Sequence, residues 1–153
     1  MQVYTSANTS INRNHLPAIY KKVDVANAGQ VLDYGCGKFF DAYGLPENVH
    51  GYDPYNRNVP EELERQYDTI ICSNVLNVIM EHEVRKSLLE TLKALGKQVY
   101  ITVYEGDKTG VGRQTANDCY QLNRKIKDYL PEVIEVFGNA EIKNGMISTL
   151  TSL

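Results

Sequence analysis

Apolar residues fall in two rhythms along this chain. Apolar-rich runs at residues 30–34, 49–52, 67–73 and 98–104 read as strands, the first of them buried. Between residues 81 and 95, Val84, Leu88, Leu92 and Leu95 recur at helical spacing, and Gly96 is a good C-terminal stop. Leu122, Ile126, Tyr129, Leu130, Val133, Ile134 and Phe137 repeat that rhythm over 122–137, where Pro131 must kink the helix or split it. A short helix is expected over 13–22, with Leu16, Ile19, Tyr20 and Val23 on one face and Pro17 tolerable only in its first turn. Residues 39–43 read as a short helix after the glycines, and 60–65 as a helical turn or short helix. Residues 141–143 and 146–150 flank Asn144-Gly145, the strongest short hairpin signal in the chain. Residues 105–117 are rich in glycine and polar side chains and read as a mobile loop.

Strands alternating with helices predict an α/β fold: a Rossmann-like, mainly parallel sheet with helices on both faces and a C-terminal antiparallel hairpin. One domain over residues 1–153, opening with an irregular arm at 1–10, is the expected organisation.

Composition narrows the function classes. The chain has 42% hydrophobic and 23% charged residues, ordinary globular values that support a real core. Its net charge of −3 gives no clear nucleic-acid footprint. No apolar stretch approaches the roughly 20 residues that cross a bilayer, so no membrane association is expected. The first residues do not resemble a signal peptide. Cys36, Cys72 and Cys119 are an odd set at wide spacing that fits neither a zinc site nor a disulfide framework. A cytoplasmic, reducing location is the expectation, with no metal. Cys36 and Cys72 read as buried fillers, and His15, His50 and His82 as structural or surface residues.

The chemistry concentrates where strands are expected to end. Residues 31–37 (VLDYGCG) run from an apolar strand through Asp33 into Gly35 and Gly37, and Asp53 closes the next apolar run. Glycine adopts positive φ at little steric cost and lets a ligand lie against the backbone. A carboxylate at the tip of the second strand can accept from a ribose diol, an arrangement that serves NAD and S-adenosylmethionine alike. Two residues separate these cofactors. Phe40 stands where the dinucleotide fingerprint has its third glycine. Asp33 would bring its charge toward a pyrophosphate but suits a cationic group, so a sulfonium cofactor is favoured. The blander alternatives are that the glycines merely end a strand, that Asp53 is a turn residue before Pro54, and that Asn74 and Asn77 cap a helix.

Residues 31–37 (VLDYGCG), 50–54 (HGYDP) and 67–79 (YDTIICSNVLNVI) resemble the first, second and fourth motifs of class I S-adenosylmethionine-dependent methyltransferases. The chain is similar to small stand-alone bacterial and phage members, over roughly residues 30–104. The resemblance implies that Asp33, Tyr34, Gly35 and Gly37 surround the methionine end of S-adenosyl-L-methionine. It implies that Asp53 and Pro54 lie at the ribose, and that Asn74 and Val75 lie beside the reactive methyl. Two departures stand out. The fourteen residues between Asp53 and Asp68 are too few for the third strand and helix common in the family, so one sheet edge is expected to be trimmed. The Asn/Asp-Pro-Pro-Tyr motif of amino-methylating DNA enzymes is absent, with Asn74-Val75-Leu76-Asn77 in its place.

No residue has a unique claim to catalysis. Asn77, Tyr104, Glu105, Tyr120 and Arg124 are candidates near the inferred mouth, and residues 105–121 suggest a lid. Arg113, Arg124, Lys125 and Lys127 could grip an anion but more simply form a solvated face. The expected activity is methyl transfer to a small molecule or an accessible side chain, on a small-molecule or protein acceptor. The alternatives are an S-adenosylmethionine-binding or protein-interaction module without transfer and, less favoured, a nucleotide or dinucleotide enzyme. A homodimer is one way to cover a trimmed sheet edge.

Overall fold

The computed structural model describes residues 2–7 and 15–151. Among the described residues, eight strands and two α-helices follow one another: β1 (Val31–Tyr34), β2 (Val49–Tyr52), β3 (Tyr67–Ser73), α1 (His82–Leu95), β4 (Gly96–Thr102), β5 (Arg113–Ala116), β6 (Cys119–Gln121), α2 (Leu130–Phe137), β7 (Glu141–Lys143) and β8 (Met146–Leu150). Six strands form one sheet in the order β2-β1-β3-β4-β8-β7. The first four are parallel, and β8 runs antiparallel to both β4 and β7. The expected α/β architecture and its antiparallel closing hairpin are present. Asn144 and Gly145, with φ of 53° and 72°, make the two-residue turn.

Period-two alternation sends neighbouring strand residues to opposite faces. Leu32, Ile70, Cys72, Val99, Ile101 and Ile147 pack with Leu89, Leu92, Val133 and Phe137 beneath α1 and α2. Val31, Val49 and Ile71 pack with Ile19, Val23, Val25 and Phe40 on the other face. Helices do cover both faces, but on the second they are only 3-10 turns: Ala18–Lys21, Val25–Asn27 and Phe40–Tyr43. The helix expected over 13–22 shrinks to the first of these because Pro17 is its N-cap; residues 13–14 lie outside the described residues.

Three further expectations change in detail. The helix expected over 122–137 is split, into a 3-10 turn at Ile126–Tyr129 and α2, with Pro131 in the first turn of α2, where its missing N–H has no partner to lose. The loop expected over 105–117 contains β5, which pairs with β6. All four β5 residues are exposed, so no apolar alternation announces that strand. The buried stripe of α1 is Arg85, Leu89, Leu92 and Leu95, one residue away from the stripe beginning Val84 and Leu88. Arg85 enters the interior because Glu132 of α2 accepts from its Nε at 2.9 Å, while the carbonyls of Ile79 and Met80 accept from Nη1.

The expected trimming is seen at β2, which is the sheet edge. The chain between β2 and β3 folds back along it. Arg57 pairs with Asp53 through backbone hydrogen bonds of 2.9 and 3.1 Å, and His50 meets Glu62 at 3.0 Å. A loop laid over an edge strand is a standard way of blocking further strand pairing. Among the described residues no helix is long and apolar enough to cross a membrane, and no cluster of His, Cys, Asp or Glu is placed to hold a metal ion.

Candidate functional site

The carboxyl ends of the four parallel strands open into a cleft of about 840 Å³, within the range of small-molecule sites. Asp33, Tyr34, Gly35, Gly37, Asp53, Pro54, Asn74 and Val75 all line it. So do Asn77, Tyr104 and Tyr120.

The glycine turn is pinned before any ligand arrives. The N–H groups of Gly35 and Cys36 donate to the Tyr52 carbonyl at 2.7 and 3.2 Å, tying the end of β1 to the end of β2. Gly35 has φ +81°, and a Cβ there would lie 2.4 Å from Val75 Cγ2. The residue beside β3 thus sits directly over the turn.

Asp53 has two tasks. Its Oδ2 accepts from Gly37 N at 3.0 Å, and its Oδ1 accepts from Tyr55 N at 2.9 Å and Asn56 N at 3.0 Å. It is therefore the turn residue before Pro54 as well as a cleft-lining carboxylate. Asn56 Nδ2 also reaches Oδ1, at 3.5 Å; Oδ2, with one donor, keeps a lone pair for a ligand hydroxyl.

Asp33 is buried, and the Tyr20 hydroxyl donates to its Oδ2 at 2.5 Å. Burial pushes its carboxyl up to about 7; the Tyr20 hydrogen bond opposes that rise and the charge of Asp53 adds to it. Burial and the neighbouring Asp33 raise the Tyr20 hydroxyl far above its ordinary value, so it remains a donor. Burial also raises the thiols of Cys36 and Cys72, which keeps them protonated and poor nucleophiles.

Phe40 fits because β2 makes room for it. A Cβ at Gly51 would lie 2.8 Å from the Phe40 ring. The guanidinium of Arg57 covers that ring at 5.1 Å and pairs with Asp41 at 3.2 Å. Sequence reading noted Phe40 but missed its complement at Gly51, which lies later in the chain and opposite the ring in space.

The far wall comes from the turn after β3 and from the β5–β6 hairpin. Asn74 has φ +58° and is exposed, with its N–H held by the Thr102 carbonyl at 2.9 Å; asparagine tolerates this left-handed conformation better than most residues. Asn77 is buried in the 3-10 turn Leu76–Val78, and its carbonyl accepts from Leu122 N at 2.8 Å. Neither Asn74 nor Asn77 makes an N-cap hydrogen bond to α1, whose N-cap position is Glu81.

Two catalytic candidates lie elsewhere. Arg124 bonds Glu132 at 3.3 Å and covers the Tyr129 ring, away from the cleft lining. Glu105 accepts from Ile126 N at 2.7 Å and is likewise not part of the lining. Their nearness in sequence to Tyr104 and Tyr120 is misleading, because both side chains satisfy the Ile126–Tyr129 turn and α2.

Sequence reading also missed the reach of the N-terminal arm. Ser6 N donates to the Asp118 carbonyl at 2.8 Å, Thr5 N to Asp118 Oδ1 at 3.0 Å, and Val3 N to Glu81 Oε2 at 2.8 Å. Tyr4 stacks on Tyr120 with ring centres 5.1 Å apart. Residues 2–7 form no helix or strand, yet Gln2, Thr5, Ser6 and Ala7 line the cleft; residues 1 and 8–10 of the expected arm lie outside the described residues. Gln121 and Arg113 line it too; Arg113 is engaged by Asp107.

No protein-family model matches the sequence, and no curated protein matches it. Solved structures do. The N-terminal domain of EvdMO1 with S-adenosylhomocysteine bound superposes with a TM-score of 0.56 at 12% identity, covering 88% of this chain and 79% of that one. The fold is that of class I methyltransferases. The O-methyltransferase from a trans-AT polyketide synthase multienzyme of Brevibacillus brevis, in complex with S-adenosyl-L-homocysteine, matches with a TM-score of 0.50 at 13% identity. That match covers 78% of this chain and 50% of that one. In this methyltransferase fold the cleft at the carboxyl ends of the strands is where ligands of open α/β sheets bind.

Proposed function

We propose that this protein is an S-adenosyl-L-methionine-dependent methyltransferase acting on a small molecule or an accessible side chain. The observation that carries the reading is Asp33: a buried carboxylate at the glycine turn, near Asp53, hydrogen-bonded to a phenol rather than a cation. A ligand ammonium would stabilise its charged form. Asp53, already oriented by three backbone N–H groups, presents the remaining lone pair of Oδ2 to a ribose hydroxyl. The positive-φ backbone at Gly35 and Gly37 keeps side-chain bulk off the turn. The residues present therefore fit the cofactor, and both similar structures above hold its demethylated product.

When bound, the cofactor supplies an electrophilic methyl on a sulfonium. The chain supplies alignment, which accounts for much of the rate when two reactants are held in line. Pro54 and Tyr34 bound the cofactor side. Asn74 and Val75 stand at the strand end beside the turn, and Asn77, Tyr104 and Tyr120 bound the acceptor side.

Calorimetry with S-adenosylmethionine and S-adenosylhomocysteine tests the reading. Binding of both is expected, with Asp53→Ala far weaker than Cys72→Ala. No binding of either at millimolar concentration would sink it. One observation favours a second reading, a cofactor-binding module without transfer. Among the described residues lining the cleft there is no histidine or lysine to act as a base. Tight S-adenosylhomocysteine binding with no methyl transfer to a broad acceptor panel would select that reading.

A further inference from the structure

We propose that the far wall of the cleft is a subsite for an uncharged, hydroxyl-bearing small molecule, read by the side-chain amides of Asn77 and Gln121. Calling that molecule the methyl acceptor rests on the methyltransferase reading; the subsite itself does not.

The first observation is a pair of orphaned acceptors. Asn77 is 2% exposed and Gln121 8%. Each has a buried side-chain oxygen without a hydrogen-bond partner, Oδ1 and Oε1 respectively. Leaving such an atom unpaired costs stability, and buried polar groups in folded proteins are nearly always paired. Both residues line the cleft. The hydrogen bond from Leu122 N to the Asn77 carbonyl, at 2.8 Å, fastens the two segments together. Neighbouring amides do not relieve them: Asn123 Nδ2 donates to the Val111 carbonyl at 2.9 Å, and its Oδ1 accepts from Asp107 N at 3.3 Å.

The second observation is charge. The described residues lining the cleft bring three carboxylates, Asp33, Asp53 and Asp107, and one guanidinium, Arg113. Arg113 is paired with Asp107. A carboxylate or phosphate would enter a net negative cleft with no free cation to receive it, whereas an uncharged ligand meets no such penalty.

The third is chemical matching. A side-chain amide carries a carbonyl and an NH₂, and a hydroxyl both donates and accepts. A hydroxyl therefore pairs with either amide whichever way that amide is turned. A site of this kind rejects analogues lacking the hydroxyl, because its own buried groups are then left unpaired.

The test uses the side-chain NH₂ signals of Asn77 and Gln121 in nitrogen-resolved NMR spectra of the full chain, with and without S-adenosylhomocysteine. Four probes are titrated: 1,2-cyclohexanediol, its dimethyl ether, cyclohexanecarboxylate and cyclohexylamine. The diol is expected to shift both amides, and the ether and the carboxylate to bind at least tenfold more weakly. Equal or stronger shifts with the carboxylate or the amine overturn the proposal, as does the absence of any shift with the diol. Gln121→Met and Asn77→Leu provide a second readout. Replacing an unpartnered buried amide by an apolar side chain of similar size is expected to leave thermal stability unchanged or raise it, while the diol response disappears. A loss of stability in Gln121→Met, which is the milder change, would show that its amide serves the fold and overturn the proposal. Calorimetry on the same samples separates the two readings. S-adenosylhomocysteine binding without a diol response removes the subsite alone. A diol response without S-adenosylhomocysteine binding removes the methyltransferase reading alone.

Discussion

On the glycine-turn wall of the cleft, Asp53 accepts from Gly37, Tyr55 and Asn56, and Asp33 accepts from Tyr20. On the facing wall, Asn77 and Gln121 keep a buried oxygen without a partner. The first wall is organised by the chain's own hydrogen bonds and can receive one fixed ligand without rearranging. The second leaves polar capacity to be met from outside. Preorganisation lowers the ordering cost of binding, so the first wall suits a ligand shared across a fold. The second suits a ligand particular to this chain.

The hardest blow to that contrast is Asp53→Ala, which strands three backbone donors at once. Hydrogen bonds to charged groups contribute about 1.5–3 kcal/mol each. S-adenosylhomocysteine affinity is therefore expected to fall by about 100-fold or more in calorimetry, with a loss of stability in urea. Wild-type affinity in this variant would show that the organised wall is not the cofactor wall.

Gly35→Ala comes next. It places a Cβ at φ +81° and 2.4 Å from Val75 Cγ2, and backbone strain of that kind costs about 1–3 kcal/mol. Val75→Ala in the same chain is expected to restore part of the loss, leaving only the backbone share. Equal stability of the single and double variants in urea melts would break the link between the turn and β3.

Asp33 yields a pH signature with a defined sign. Its carboxyl is raised from 3.8 to about 7, so between those values the folded state holds a proton that the unfolded state has released. Its contribution to stability is full below about pH 4 and is lost as pH rises through about 7. Melting temperatures across that window should show the fall, and Asp33→Asn should remove it. Affinity for S-adenosylhomocysteine should move oppositely, rising up to about tenfold per pH unit below 7 as the carboxylate forms. A pH-independent affinity would separate Asp33 from the ligand ammonium.

Arg124→Ala should do least. Glu132 keeps Arg85 and His82 as partners, so a stability change of about 1 kcal/mol or less is expected, with cofactor affinity unchanged. A tenfold loss of affinity would return Arg124 to the cleft.

The same contrast explains what the sequence made legible. β1 to β4 are rich in apolar residues because sheet residues facing two covered layers are mostly apolar on both sides. The residues at their carboxyl ends then follow from chain order alone, which is why Asp33, Gly35, Gly37, Asp53 and Asn74 could be placed together. β5 was hidden because Arg113, Gln114, Thr115 and Ala116 are all exposed and carry no alternation. Gln121 was hidden with it, since its place in the cleft depends on that hairpin. Arg85 was hidden by its charge: nothing local to α1 shows that Glu132, 47 positions away, lets it be buried. The role of Gly51 beneath Phe40 was hidden for the same reason, as a contact between elements rather than a pattern within one.

The arm bears on how any of these measurements should be set up. Chain entering at Gln2 does so at the cleft itself, against Tyr55, whose hydroxyl lies 3.3 Å from Gln2 Oε1. Chain leaving β8 does so beside Gln98, at the start of β4 and the opposite end of the sheet. A purification tag or surface anchor attached ahead of the arm would crowd the opening through which ligands pass. Attached beyond Thr151, it would leave that opening clear.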